Sequence, residues 1–141
     1  KFCPTGWVGR LLYRTGAPQS PYSYFQPEIT LRGDERFDLT PYGIPGYAIP
    51  TPGHTPGSIS VVLEDGNAFV SDMVSSGLGL GGIVPSGIAK RPPFEEEPLQ
   101  VAEELERLLE ADVTNFHLGH GFKLGAKAIE RHIGRLKGLR S

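Results

Sequence analysis

"PTPGHTPGSIS", residues 50–60, sets His54 between two Pro-Gly steps and then runs into an alternating apolar stretch. Proline fixes φ and glycine permits turns that other residues resist, so this histidine sits on a short, sharply bent loop with few ways to move. A rigidly held imidazole suits metal ligation or acid–base chemistry, and equally a surface turn that happens to contain a histidine. The flanks are more decisive. "GYAIP" before the loop reads as a short strand, and "SISVVLEDGNAFVSDMV" after it reads as a β-hairpin turning at Asp65-Gly66. Ile59, Val61 and Leu63 share one face of the first arm, while Phe69 and Val70 extend an apolar run that stops at Asp72. Asp72 therefore falls at a strand end.

Toward the N-terminus, residues 1–27 are rich in Pro, Gly, Ser and Tyr without a sustained period, and read as an irregular, aromatic-studded segment. "EITL" and "RFDL" then flank Arg32-Gly33-Asp34-Glu35 as a second hairpin. The Arg-Gly-Asp triplet is three common turn residues, too short a match to carry an adhesion function. Toward the C-terminus, residues 75–97 form a long loop rich in Gly and Pro. They lack the Gly-Lys-Ser/Thr ending and the strand-to-helix frame of a phosphate cradle.

Pro98 suits the first turn of a helix, in which Val101, Leu105, Leu108 and Leu109 recur at helical spacing. "VTNFHLGHG" is a further strand ending in Gly119-His120-Gly121, and "KLGAKAIERHIGRLKGL" closes as an amphipathic helix through Ile129, Ile133 and Leu136. Lys123, Lys127, Arg131 and Arg135 read as a solvated charge stripe, and His132 as a partly buried or surface helix histidine.

The 141 residues suffice for one domain, 1–141, in which the irregular segment 1–27 precedes the regular part 28–141. Fourteen basic against sixteen acidic side chains leave a formal charge of -2, so no global field recommends nucleic acid or an anionic membrane as partner. Cys3 is the single cysteine, which excludes an internal disulfide and a cysteine-rich zinc cluster. No stretch approaches the roughly 20 apolar residues of a membrane span and no signal pattern opens the chain, so a cytoplasmic location is expected.

His54, Asp72 and His120 share one context: each lies just after an expected strand, where strand ends at one edge of a sheet converge. Imidazole nitrogen and carboxylate oxygen are the ligands that a hydrolytic zinc ion takes when thiolates are absent, and a carboxylate can bridge two metals. Spacings of 18 and then 48 residues lack the signature of a helical or zinc-finger motif. Three turn residues and one metal site both remain open on that evidence.

"TPGHTPGSIS", "FVSDMV" and "HLGHG", in that order, closely resemble the third, fourth and fifth metal-binding motifs of the metallo-β-lactamase superfamily, which includes the hydroxyacylglutathione hydrolases. The likeness covers about residues 28–139. It implies that His54 binds a first zinc, that Asp72 bridges, and that His120 binds a second. It also implies an α+β fold, half of an αββα sandwich with a mostly antiparallel or mixed sheet and two outer helices. In the family the halves are related by approximate twofold symmetry and stack with the metals at one edge. Ser71 stands where the family usually has glycine before the bridging aspartate.

The family's His-x-His-x-Asp-His motif is absent: the only histidines are 54, 117, 120 and 132. Without that motif the chain looks like the C-terminal half of such a fold, either a natural half or one whose upstream residues were removed, as Lys1 in place of an initiating methionine suggests. About two protein ligands per metal remain, below the three of a catalytic zinc site, so weak or partial zinc occupancy is expected. Alternation along "NFHLGH" puts His117 and His120 on opposite faces, so His117 is not expected to substitute. The resemblance thus implies a half-chain of a hydrolase that attacks an ester, thioester or amide through a zinc-bound hydroxide and is inactive alone. Its small-molecule substrate is not legible in the loops. The other reading is a non-catalytic binding or assembly module built on the half-fold. Either way the sheet face bearing Ile59, Val61 and Leu63, or the opposite one, needs a cover: a second copy forming a homodimer, the missing N-terminal half, or the Tyr-rich segment 1–27 folded back over it to leave a monomer.

Overall fold

A computed structural model describes residues 3–16, 26–78 and 84–140. The hairpin forms where the alternation placed it: β3 (Ile59–Leu63) and β4 (Asn67–Phe69) pair antiparallel, with Val61 opposite Phe69. Gly66 takes φ 79° at the turn, and Asn67 N–H donates to Asp65 Oδ1 at 3.1 Å. On the other side β3 pairs antiparallel with β2 (Gly46–Pro50), which pairs with the short β1 (Phe37–Asp38).

From β4 the chain passes through a two-stranded ribbon, β5 (Ser75–Leu78) and β6 (Val84–Lys90), and the helix α2 (Pro98–Glu110). It returns as β7 (Asn115–His117), parallel to β4, and continues as β8 (Leu124–Gly125) and α3 (Ala126–Lys137). The sheet order is β1-β2-β3-β4-β7-β8 with one parallel pair, the mixed and mostly antiparallel α+β arrangement expected.

One sheet face is the core. Ile49, Val62, Ala68, Phe116 and Leu124 meet Val101, Ala102, Leu105 and Leu108 of α2 and Ile129, Ile133 and Leu136 of α3 in one buried cluster. The period-3.6 pattern picked these helices correctly because it is packing against the sheet, more than propensity, that holds a 12- or 13-residue helix. The other face carries an in-register row, Phe37, Ala48, Val61, Phe69 and His117, across five strands. Ile59 and Phe69 on that face are 52% and 51% exposed, and Val61 and Leu63 are half-buried. Apolar residues on both faces mark a sheet built for a second layer.

Three expectations need correction. The segment 1–27 is not irregular throughout: Gly6–Arg14 form a helix, α1. Glycines 6 and 9 mask its period, yet Gly9 is what docks it, since a Cβ there would lie 2.1 Å from the Pro93 carbonyl oxygen. Thr5 N–H also donates to that carbonyl at 2.8 Å. Tyr22 and Tyr24 of the same segment lie outside the described residues.

The hairpin at 28–39 is only half formed. Glu35 N–H donates to Arg32 C=O at 3.1 Å in the turn, but residues 28–31 pair with nothing as a strand. The loop 75–97 contains the β5/β6 ribbon, whose Gly77, Pro85 and Gly87 argue against a strand in sequence. It persists because side chains and neighbouring backbone tie it down: Ser76 Oγ donates to Phe122 C=O and accepts from Phe122 N–H, both at 2.7 Å. Among the described residues no helix is long and apolar enough to cross a membrane.

Candidate metal centre

The strand directions bring three loops to one edge. β2 ends there, β3 begins there, and β4 and β7, being parallel, both end there. These are the loops that carry His54, Asp72 and His120.

The stiffness of the His54 loop has a visible cause. Thr51 N–H donates to Ser58 C=O at 2.9 Å, and the Thr55 and Ser58 hydroxyls meet at 2.9 Å inside the turn. Outside it, Glu97 N–H donates to Gly53 C=O at 2.8 Å and Glu96 N–H to His54 C=O at 3.3 Å. Gly53 has φ 132°, and a Cβ there would stand 2.7 Å from the Val101 amide, so only glycine lets the loop seat on the start of α2. Arg107 of α2 reaches back to donate to the Pro50 carbonyl. His54 Nδ1 is buried with no hydrogen-bond partner.

Asp72 lies on a single tight turn, Ser71–Met73, entered through Ser71 at φ 50°. That left-handed conformation favours glycine, which gives a backbone reason for the family's usual residue there. Val70 N–H donates to His117 C=O at 2.9 Å and Gly119 N–H to Ser71 C=O at 2.7 Å, lashing the turn to the end of β7. The result is one direct contact: His120 Nδ1 donates to Asp72 Oδ1 at 2.6 Å. With Nδ1 so engaged, the neutral ring keeps Nε2 as its acceptor, the atom available to a metal or a proton.

Gly119 permits this contact, because a Cβ there would lie 2.4 Å from Asp72 Oδ1. Gly119→Ala is expected to push the carboxylate off His120 and to cost about 1–3 kcal/mol, the usual range for overpacking. Urea denaturation and the His120 Nδ1 NMR shift check it. Stability within about 0.5 kcal/mol of the parent together with an unmoved Nδ1 signal would show the close approach to be slack.

His117 is not part of this group. Its ring stacks on Phe69 with centroids 4.9 Å apart, and Nε2 donates to Asn67 Oδ1 at 2.8 Å, on the open sheet face. Among the described residues no set of three or more His, Cys, Asp or Glu side chains converges to hold a metal ion. The donors present fit a zinc centre in kind, imidazole and carboxylate, but the converged pair is short of the three protein ligands of a catalytic site.

A second polar cluster, behind the ribbon, was not read from sequence. Glu95 is buried and pairs with Arg91 Nε, and burial holds its carboxyl above the usual range despite that guanidinium. His132 of α3 is only 2% exposed, and neither ring nitrogen has a partner. In sequence, Glu95 sits in a run of three glutamates, a pattern that says surface, and His132 beside a charge stripe, which reads as a partly buried or surface helix histidine.

A six-stranded mixed sheet with helices on one face, an open apolar second face and an Asp–His contact at the strand-end edge makes a two-layered α/β unit, the form of half an αββα sandwich. Solved structures similar to it include metallo-beta-lactamase superfamily proteins. ST1585 from Sulfolobus tokodaii, an archaeal metallo-beta-lactamase superfamily protein, is 26% identical over 94% of this chain and 48% of its own, with a TM-score of 0.57. A metallo beta lactamase from Erythrobacter litoralis, crystallised with beta mercaptoethanol in the active site, is 20% identical over 90% of this chain and 55% of its own, TM-score 0.60. The DIM-1 metallo-beta-lactamase is 17% identical over 93% and 55%, TM-score 0.56. The chain therefore has a metallo-β-lactamase fold in part, spanning about half the length of the structures it matches. No protein-family model matches the sequence, and no curated protein does.

Proposed function

We propose that the chain is a half-chain of a zinc-dependent hydrolase of this superfamily, acting on an ester, thioester or amide, and that it turns over little substrate by itself. The observation that carries this reading is the 2.6 Å contact of His120 with Asp72 at the edge shared with the His54 loop. Bound zinc would supply Lewis acidity and a hydroxide at neutral pH. The chain's own part is to orient donors: Asp72 fixes the His120 ring, and the Gly53 and Gly119 close approaches hold the loops to which His54 and Asp72 are tied. The missing ligands come, on this reading, from a second polypeptide, the N-terminal half of such a fold, since a second copy of this chain brings only the same His54, Asp72 and His120 again.

Zinc titration of the metal-free chain tests it. The expected result is sub-stoichiometric zinc, with Asp72→Ala and His120→Ala each weakening affinity by about 10-fold or more, and thioester hydrolysis near background. Unchanged zinc affinity in both variants would refute the metal site and favour the non-catalytic binding or assembly module. Two tightly held zinc ions per chain, with turnover lost in His54→Ala, would refute inactivity.

A further inference from the structure

We propose that the cavity between α1, the β5/β6 ribbon and the end of α3 binds a small amphipathic anion, an aliphatic carboxylate whose headgroup meets His132, Arg91 and Arg135. The cavity measures about 910 Å³, within the usual size of small-molecule sites. Its walls divide by chemistry. Trp7, Val8 and Leu12 of α1 face Leu136 and Leu139, an apolar channel for a hydrocarbon chain. Lys90, Arg91 and Arg135 also line it, and among the described residues no carboxylate does.

The cations are placed but not saturated. The Lys90 ammonium donates to Gly77 C=O and Arg135 Nη2 to Ala89 C=O, each at 2.7 Å, while Arg91 Nε is paired with Glu95. A guanidinium has five N–H donors and an ammonium three, so each retains donors for an anion. These backbone bonds hold the charges in fixed positions.

His132 is the second, independent observation. It lines the same cavity, is 2% exposed, and leaves both ring nitrogens buried without a partner. A polar group buried and unsatisfied weakens the fold, and such groups recur where a ligand completes them. Either neutral tautomer presents an N–H that a carboxylate oxygen accepts. A mostly apolar wall with a cationic, hydrogen-bonding end matches a single-headed aliphatic acid better than a free inorganic anion. His120 stands on the cavity wall too, so the site adjoins the candidate metal centre.

Trp7 provides the readout: it is the chain's single tryptophan, 75% exposed, and lines the cavity. Titrating the metal-free full chain with decanoate below its micelle concentration is expected to shift Trp7 emission to shorter wavelength and to saturate. Calorimetry on the same mixture gives the affinity without the fluorophore. Decanol and decylamine are expected to bind about 10-fold more weakly or worse, and inorganic phosphate not at all. His132→Leu is expected to weaken decanoate by about 10-fold while its melting temperature stays level or rises, a combination that a merely structural histidine would not show. Arg135→Gln should act on affinity in the same direction. No saturable response to decanoate, equal affinity for decanol, or unchanged affinity in His132→Leu overturns the proposal. Because the titration is run without metal, its failure leaves the hydrolase reading untouched, and the failure of zinc binding leaves this one untouched.

Discussion

Folding stability is expected to fall by about 3 kcal/mol through His132 as the pH drops from 7 to 4, and His132→Leu to lose most of that slope. Burial first, then the charges of Arg135 and Arg91, push the His132 pKa from 6.5 down to about 4. Above pH 6.5 the ring is neutral in both folded and unfolded chains and contributes no pH dependence. Between 6.5 and about 4 the unfolded chain takes up a proton that the folded one refuses, so stability declines as the pH falls. Below about 4 both states are protonated and the loss levels off. His132→Leu should also be the more stable protein at pH 7, since it removes two unpartnered nitrogens from the interior.

Glu95 acts with the opposite sign. Burial raises its carboxyl pKa, with Arg91 opposing, so the folded chain binds this proton more readily than the unfolded one and gains stability as the pH falls through the folded value. Glu95→Gln should therefore steepen the acid limb that His132→Leu flattens. Urea denaturation at pH 7, 5.5 and 4 on the parent and both variants separates the two groups. Parallel pH profiles for the parent and His132→Leu would mean that the ring is not neutral and buried in solution.

What could be read from the chain divides along the range of the interactions. The β3/β4 hairpin, α2 and α3 were legible because Asp65-Gly66, Pro98 and the apolar periods are local signals that agree with the tertiary packing. The convergence of Asp72 with His120 was legible as strand ends at one sheet edge, although the residues lie 48 apart in sequence. His54 shares that edge by topology but joins no group of three among the described residues, and a strand-end argument has no access to that distinction.

The misses were non-local. Helix α1 rests on Gly9 meeting Pro93 and the ribbon on Ser76 meeting Phe122, and neither pairing leaves a trace in the period of its own segment. The same holds for His132, whose burial first, and then the charges of Arg135 and of Arg91 from outside its helix, set it apart. The cavity that His132 lines was invisible for the same reason, being walled by α1, the ribbon and α3 together.

In sedimentation at micromolar concentration the chain is expected to run at twice its mass, and Val61→Glu to return it to a single mass with about 100-fold weaker association or worse. Val61 lies at the centre of the in-register row Phe37, Ala48, Val61, Phe69 and His117, flanked on its own strand by Ile59 and Leu63. Face-to-face sheets sit about 10 Å apart, so a second copy across this row would bury the exposed Phe69 and Ile59 side chains that solvent now meets. A twofold axis through the row makes the patch self-complementary, since each copy presents the same surface to the other. A glutamate at the centre must be desolvated without a partner in the dimer, whereas in the monomer the half-buried position leaves it hydrated. The variant's circular dichroism and melting temperature should therefore match the parent's while its association fails. A parent species of one chain mass that binds no hydrophobic dye, or a dimer indifferent to Val61→Glu, would show that this face is not the contact between copies.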